Sequence, residues 1–461
     1  MSITDDPVVV IGGGIAGLAA AWQLHRDGVP VRLFEAADRV GGKIRTTEFQ
    51  GRMVDEAADA FLARVPHGIE LARELGLGEQ LISPAGRKAQ VWTSEGLCRL
   101  PEPNVLGIPL ERAAAEDLLG AEAADALDAD LARTDPDPVL EDDTIGSLVR
   151  RRVGDRVHEM LVDPLIGSIN AGDTHQLSLE ASSPQIHAAA AAGPSLVRAL
   201  REQAAGRSSD APVFHSFEGG MGTLIDALAD RLGDAITTGM IAREIVEQSD
   251  GRLHVDFEDN THVYASAVVL AVPANVAGDI LGDWEEVSLV LEAIPQISVT
   301  LVALAYPAGT IAQDADLSGF VVPRTAPELT ITACSYAHAK WPHQGGDLDL
   351  LRVSVGHTGD QVTPDLDDEA LLEVVLADVE TALGVTADPV AHRITRWPAS
   401  FPQYLTGHLD RLAFAEEELN PSGIFLAGMS YRGIGIPANI DQGRSAAVSA
   451  ILHLLGDGED R

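Results

Sequence analysis

The first stretch whose residue types and spacing can do chemistry is Gly12-Gly13-Gly14-Ile15-Ala16-Gly17. Gly12 permits a tight turn, Gly14 lets the backbone approach a pyrophosphate, and Gly17 lets a helix pack close on the strand before it. Ile15 and Ala16 then bring the free N–H groups and partial positive charge of a helix start to the phosphates. About 20 residues on, Glu35 offers a carboxylate to a ribose 2′-hydroxyl, which argues against a 2′-phosphate, and Ala36 follows beside it. The flanks fit this reading. A β-branched run over 7–11 predicts a strand, an Ala/Leu-rich run over 18–26 predicts a helix stopped by Gly28, and 31–34 predicts a second strand ending at Glu35. Together they make a βαβ unit of about 30 residues.

Two further segments sharpen the ligand. Arg39-Val40-Gly41-Gly42-Lys43-Ile44-Arg45-Thr46 places a glycine pair between cations, which suits a backbone passing close to a diphosphate and a flavin ring, with Arg39 facing negative charge. That second pair moves the reading from NAD to FAD. Near the other end, a strand over 423–427 runs into Gly428 and Tyr431-Arg432-Gly433-Ile434-Gly435-Ile436-Pro437, then a terminal helix. Pro437 suits a first helical turn. The start of that helix, at Ile434 and Ile436, would stabilise an anionic reduced flavin ring through its dipole.

The elements that must position these loops are legible from texture. Residues 101–210 are rich in Ala, Leu, Glu and Arg and predict a mostly helical region; strands are predicted at 252–257, 267–272, 297–305, 319–322, 330–334 and 350–355, and a helix over 365–383. The apolar run 295–313 is long enough for a membrane span, but its prolines, glycine and β-branched residues make it a buried strand, so no transmembrane helix is predicted. No secretory signal is read in residues 1–7. The 32 basic against 70 acidic residues give a net charge of −38, with Lys43, Lys88 and Lys340 the only lysines, which excludes a basic footprint for nucleic acid. Cys98 and Cys334 lie far apart, and no His/Cys cluster has metal spacing, so neither a disulfide nor a metal site is expected, and the compartment is read as reducing and cytoplasmic. His343 and His408 are read as hydrogen-bonded structural groups, and Trp341 and Trp397 as packing residues.

Over nearly its whole length the chain resembles the oxygen-dependent porphyrinogen oxidases of the flavin amine oxidase superfamily. The likeness is greatest to the soluble bacterial branch acting on coproporphyrinogen III, with protoporphyrinogen IX oxidases close by. Besides the glycine motifs, it is carried by Asp163-Pro164-Leu165-Ile166-Gly167, Ala171-Gly172-Asp173, Leu177-Ser178-Leu179, Phe217-Glu218-Gly219-Gly220-Met221-Gly222-Thr223-Leu224, Ala271-Val272-Pro273-Ala274, Lys340-Trp341-Pro342-His343, Pro402-Gln403-Tyr404 and Gly407-His408. The resemblance implies an α/β fold with an α+β substrate region. A Rossmann-type FAD-binding domain (1–92, 212–280, 408–461) would accompany a substrate-binding β-sheet domain (93–102, 281–407) and a helical insertion (103–211).

It also implies a six-electron oxidation in haem biosynthesis, in which bridge carbons of a porphyrinogen give hydride to flavin N5 and dioxygen reoxidises the FAD; the porphyrin would pass to a ferrochelatase. Aromaticity drives that reaction, so no strong general base is demanded and none is singled out. Substrate contacts are expected from Asp59, Phe61, Arg87, Lys88, Val321 and Ser354, the cations because a tetra-anionic substrate must approach an acidic protein; Arg45 is a further candidate there. The chain departs from the family at Ser354, where relatives place an aromatic, at Arg432, where they place an acid, and at Asn170, where they place a tyrosine. The alternatives are a protoporphyrinogen oxidase, an amine oxidase, a carotenoid desaturase or a porphyrin- or flavin-binding paralogue with little turnover. Met429, standing where amine oxidases carry an acid, and the lack of a cysteine in the terminal region count against the amine oxidase.

Overall fold

The computed structural model describes residues 6–135, 137–141, 143–205 and 211–456; most of the N-terminal segment 1–7 and a few positions of the predicted helical region 101–210 lie outside them. Two compact units share the chain: residues 1–83, 213–295 and 408–461 form the first, and 84–212 and 296–407 the second.

In the first unit, Val8–Ile11 is the middle strand of a five-stranded parallel sheet, ordered Ile236–Thr238, Val31–Glu35, Val8–Ile11, Ala267–Leu270, Ile424–Leu426. Its side chains alternate between faces, and both faces are covered, which is why the strand is apolar throughout. Val8 and Val10 pack with helices Ile15–Arg26, Gly222–Leu232 and Ile436–Gly456. Val9 and Ile11 pack with Ala274–Ile280, Glu285–Glu292, His408–Leu419 and the buried side of a three-stranded antiparallel sheet. This is the Rossmann-type arrangement the first loop predicts.

In the second unit a seven-stranded sheet runs Ala391–Pro402, Gln296–Pro307, Leu348–Val355, Ile331–Tyr336, Leu317–Val321, Lys88–Thr93, Gly96–Arg99. One face, with Val302, Phe320 and Val353, is covered by helix Asp368–Leu383. The other carries Val91 and Val321 into a core made with helices between residues 112 and 204. The run 295–313 is indeed strand over most of its length, and among the described residues no helix is long and apolar enough to cross a membrane. Residues 84–92, expected with the dinucleotide-binding part, fall in the second unit because Lys88–Thr93 pairs in parallel with Leu317–Val321. Residues 281–295 fall in the first because Val287, Leu291 and Ile294 complete its core.

Candidate functional site

All three predicted loops leave the carboxyl edge of the parallel sheet, where ligands of open α/β sheets bind. Gly12 has φ +104° and a Cβ there would lie 2.5 Å from the Ala271 carbonyl oxygen, at the end of the neighbouring strand. Helix Ile15–Arg26 begins at Gly14, which no side chain caps, and a Cβ on Gly14 would meet nothing within 4 Å. Gly17 is the opposite case: its Cβ would lie 1.9 Å from the Gly12 carbonyl oxygen, so only glycine lets the helix seat against the turn. At the end of the second strand, Glu35 accepts from the Gly13 N–H (2.6 Å) and the Ala37 N–H (2.8 Å), with Ala36 exposed between.

The second glycine loop lies directly on the first. Gly41 N–H donates to the Gly13 carbonyl at 2.7 Å, and a Cβ on Gly42 would lie 3.3 Å from Gly14 Cα. Arg39 turns inward, donating to the carbonyls of Val40 (3.1 Å) and Gly42 (2.7 Å), so it holds the shape of its own loop. Burial lowers the Lys43 ammonium to about 8, and its Nζ lies 3.7 Å from Met429 Sδ in the third segment. Arg45 is exposed and pairs with Glu56 at 3.3 Å.

In the third segment Gly428 (φ +134°) and Arg432 both donate their N–H to Gln442 Oε1, at 3.4 and 3.1 Å. The Arg432 guanidinium is committed to Glu416. Ile434 is half-buried, and Ile436 opens the terminal helix with Pro437 second. Buried His408 lies 2.7 Å from the Tyr431 carbonyl through Nε2; burial depresses its pKa to about 4, so it is a neutral donor at pH 7. Sequence reasoning missed Gln442 and Gly443. A Cβ on Gly443 would lie 2.1 Å from the Ala16 carbonyl oxygen, so the terminal helix rides against the first one there. Asp59 is half-buried in the loop before Phe61–Leu62, while Phe61 itself is 2% exposed and packs in the core.

In the second unit, Val321 pairs with Ala333, Ala333 with Ser354, and Ser354 with Leu301. Two candidates 33 positions apart in sequence thus share one cross-strand row. Arg87 is exposed, and the Lys88 ammonium lies 3.4 Å from Asp316 and 3.8 Å from Glu102. The structure also joins two of the motifs that carry the resemblance, those around Ala171-Gly172-Asp173 and Pro402-Gln403-Tyr404. Gln403 Nε2 donates to the Asn170 carbonyl at 3.1 Å, and Gln403 Oε1 accepts from Thr358 Oγ1 at 2.9 Å; Thr358 N–H in turn donates to the Ala171 carbonyl at 2.9 Å. Arg324, which sequence reasoning missed, clamps the same turn: it donates to the Gly172 carbonyl (2.5 Å) and the Thr358 carbonyl (3.0 Å), with Asp163 3.6 Å from its Nε. Nothing local marks Arg324, because Gly172 lies 152 and Thr358 34 positions away along the chain. The Asn170 side chain donates back to the Ile166 carbonyl at 2.9 Å, so its amide is held within its own helix. Trp341 is fully buried and Trp397 half-buried in its strand.

Three glycine loops converging on the carboxyl edge of one parallel sheet, with an acid closing the second strand, define a dinucleotide-cofactor oxidoreductase fold. The chain belongs to the family of flavin-containing amine oxidoreductases, which matches residues 15–451, and flavin is accordingly its cofactor class. Within that family it is 32% identical to the coproporphyrinogen III oxidase of Bacillus subtilis (strain 168) across 97% of this chain and 98% of that protein. It is 34% identical to the protein of the same name from Mycobacterium tuberculosis (strain ATCC 25618 / H37Rv), across 96% of each. A crystal structure from Exiguobacterium sp. 255-15, named for protoporphyrinogen oxidase, superposes with a TM-score of 0.86 at 31% identity, covering 98% of this chain and 100% of that one.

Proposed function

We propose that this chain is a cytoplasmic FAD-dependent oxidase that converts coproporphyrinogen III to coproporphyrin III in haem biosynthesis, with dioxygen as acceptor and a ferrochelatase taking the product. The observation that carries this reading is the end-to-end likeness to relatives named coproporphyrinogen III oxidase. Bound FAD would supply a hydride acceptor at N5, and aromatisation of the tetrapyrrole the driving force. The residues present fit that cofactor. Gly14 leaves the open space a diphosphate needs at an uncapped helix start, and Glu35 stands at the strand end where a ribose hydroxyl is received. Ile434 and Ile436 bring in a second helix start. On the second unit, half-buried Ser354 offers a small polar side chain to one face of a tetrapyrrole, while Val321 and Ala333 of the same row pack into the helix-covered core.

The test is a side-by-side assay of the purified flavoprotein on coproporphyrinogen III and protoporphyrinogen IX, following porphyrin fluorescence and counting peroxide. Faster turnover of the tetracarboxylate, with three peroxides per porphyrin, is expected. Faster turnover of protoporphyrinogen would reassign the substrate, and tight porphyrin binding without peroxide would sink the enzyme reading.

Lys43 gives this reading a pH signature. Its lowered pKa means the flavin-free protein loses this charge near pH 8, whereas an anionic cofactor favours the protonated form. FAD affinity is therefore expected to be full below pH 8 and to fall by up to about tenfold per pH unit above it. Dissociation constants measured by flavin fluorescence at pH 7 and 9 check this. Lys43→Met should flatten the step, and a wild-type profile already flat across pH 8 would count against Lys43 as a cofactor contact.

A further inference from the structure

The antiparallel sheet of the first unit, Ala242–Glu247, Leu253–Phe257 and His262–Ala265, carries a second constellation of donor groups. Leu253, Val255 and Phe257 are buried, so strand alternation leaves His254 and Asp256 on the outer face. The register pairs Asp256 with His262 and His254 with Tyr264. Two imidazoles and a carboxylate thereby reach one spot from adjacent strands, although their spacing along the chain did not announce a metal site. One ligand atom from each of His254, Asp256 and His262 lies within 4.8 Å of the others. The two imidazole centroids are 4.7 Å apart, and His254 Nδ1 is 3.3 Å from an Asp256 oxygen.

We infer that His254, Asp256 and His262 form a binding site for a divalent transition-metal ion of the zinc type, separate from the flavin loops. The donor set decides the class of ion. Two nitrogens and one carboxylate oxygen suit zinc, nickel or copper, whereas magnesium and calcium take oxygen donors throughout. Bonds of about 2.0–2.1 Å to a tetrahedral ion set its donors roughly 3.4 Å apart, so small rotations of three side chains already within 4.8 Å close the cage. Paired strands fix the three Cα positions, leaving little backbone ordering to be done when the ion arrives. The neighbouring cations do not occupy the spot. Arg243 approaches Asp256 only at 4.0 Å, and Arg252 is engaged by Asp250, Asp6 and the Tyr264 ring. A net charge of −38 concentrates divalent cations near the surface, and the imidazoles select among them. Three protein ligands leave a fourth position for water or a further donor.

The full-length flavoprotein, stripped with EDTA, is titrated with zinc in competition with a chromophoric chelator, and with magnesium in parallel. One zinc per chain is expected to bind well ahead of any further ions and to resist excess magnesium. His254→Ala and His262→Ala should each weaken it by about tenfold or more, at unchanged flavin content and melting temperature, because both side chains stand on the outer face. Cobalt in place of zinc should give visible absorption bands that His262→Ala alters. Equal zinc affinity in the double variant would mean that the acidic surface alone holds the ion and would overturn the site, as would the absence of a stoichiometric zinc in the wild type.

Discussion

Gly17→Ala is expected to leave a folded protein that purifies without its flavin. A methyl group at this position would sit 1.9 Å from the Gly12 carbonyl oxygen and 3.1 Å from Ala271 Cβ. The obstacle is backbone, so no rotamer relieves it. Gly12 cannot retreat, because its own Cβ direction is closed at 2.5 Å by the Ala271 carbonyl. The helix must therefore lift from the turn, and its N–H groups then miss the phosphates they are placed to receive. Overpacking of this kind costs typically 1–3 kcal/mol, and about 2–3 kcal/mol charged to cofactor binding corresponds to roughly 30- to 150-fold weaker flavin. Gly14→Ala separates the two effects. Its Cβ meets nothing within 4 Å and its φ of −68° is ordinary, so the flavin-free protein should keep or slightly gain stability, while the methyl enters the space assigned to the diphosphate. Flavin content by absorbance, dissociation constants and thermal melts of both variants decide the matter. Full flavin occupancy in Gly17→Ala would show that the helix start does not hold the cofactor.

What the sequence discloses is what its local chemistry enforces. The βαβ unit, its glycine turn and Glu35 lie within one short stretch, and each residue type there has a single geometric reason. The three flavin loops could be named separately for the same cause, and only their meeting at one sheet edge needed the pairing of distant strands. Strand Ala391–Pro402 escaped notice because it carries Arg393, Arg396 and Pro398. It lies at the edge of its sheet, where a missing donor and outward charges are tolerated. The row that joins Val321 to Ser354 depends on register, and so does the convergence of His254, Asp256 and His262. Lys88 was singled out for its charge, but a lysine says nothing of which carboxylates fold beside it, and Asp316 is 228 positions away. Gly443 looked like any glycine in a helix until the first helix was laid across it.

Arg152→Ala is expected to produce the largest loss of stability in the second unit. The side chain is fully buried in helix Ile145–Val153, with its Nε 2.8 Å from the Asp137 carboxylate and Nη1 3.9 Å from the equally buried Asp130, and it donates to the backbone carbonyls of Pro194 and Asp137. Asp130 is in turn the acceptor for Ser195 Oγ (2.8 Å) and the N–H groups of Leu196 (3.2 Å) and Val197 (2.9 Å), at the start of helix Leu196–Ala204. One guanidinium therefore ties three segments together, and its loss leaves the Asp130 and Asp137 carboxylates without their shared counter-charge and two carbonyls without a donor. Breaking a buried pair from one side costs about 3–5 kcal/mol, a fall in melting temperature of roughly 10 °C for a unit of this size. Lysine should recover only part, since a single ammonium cannot serve two carbonyls in different directions. The informative partner is Asp130→Asn, which removes the stranded charge but keeps acceptor and donor groups for the helix start. In a double-mutant cycle followed by calorimetry, Arg152→Ala should cost distinctly less in the Asp130→Asn background than in the wild type. Equal costs in the two backgrounds would mean that Arg152 acts through Asp137 and its carbonyl bonds and that the charge on Asp130 is balanced elsewhere.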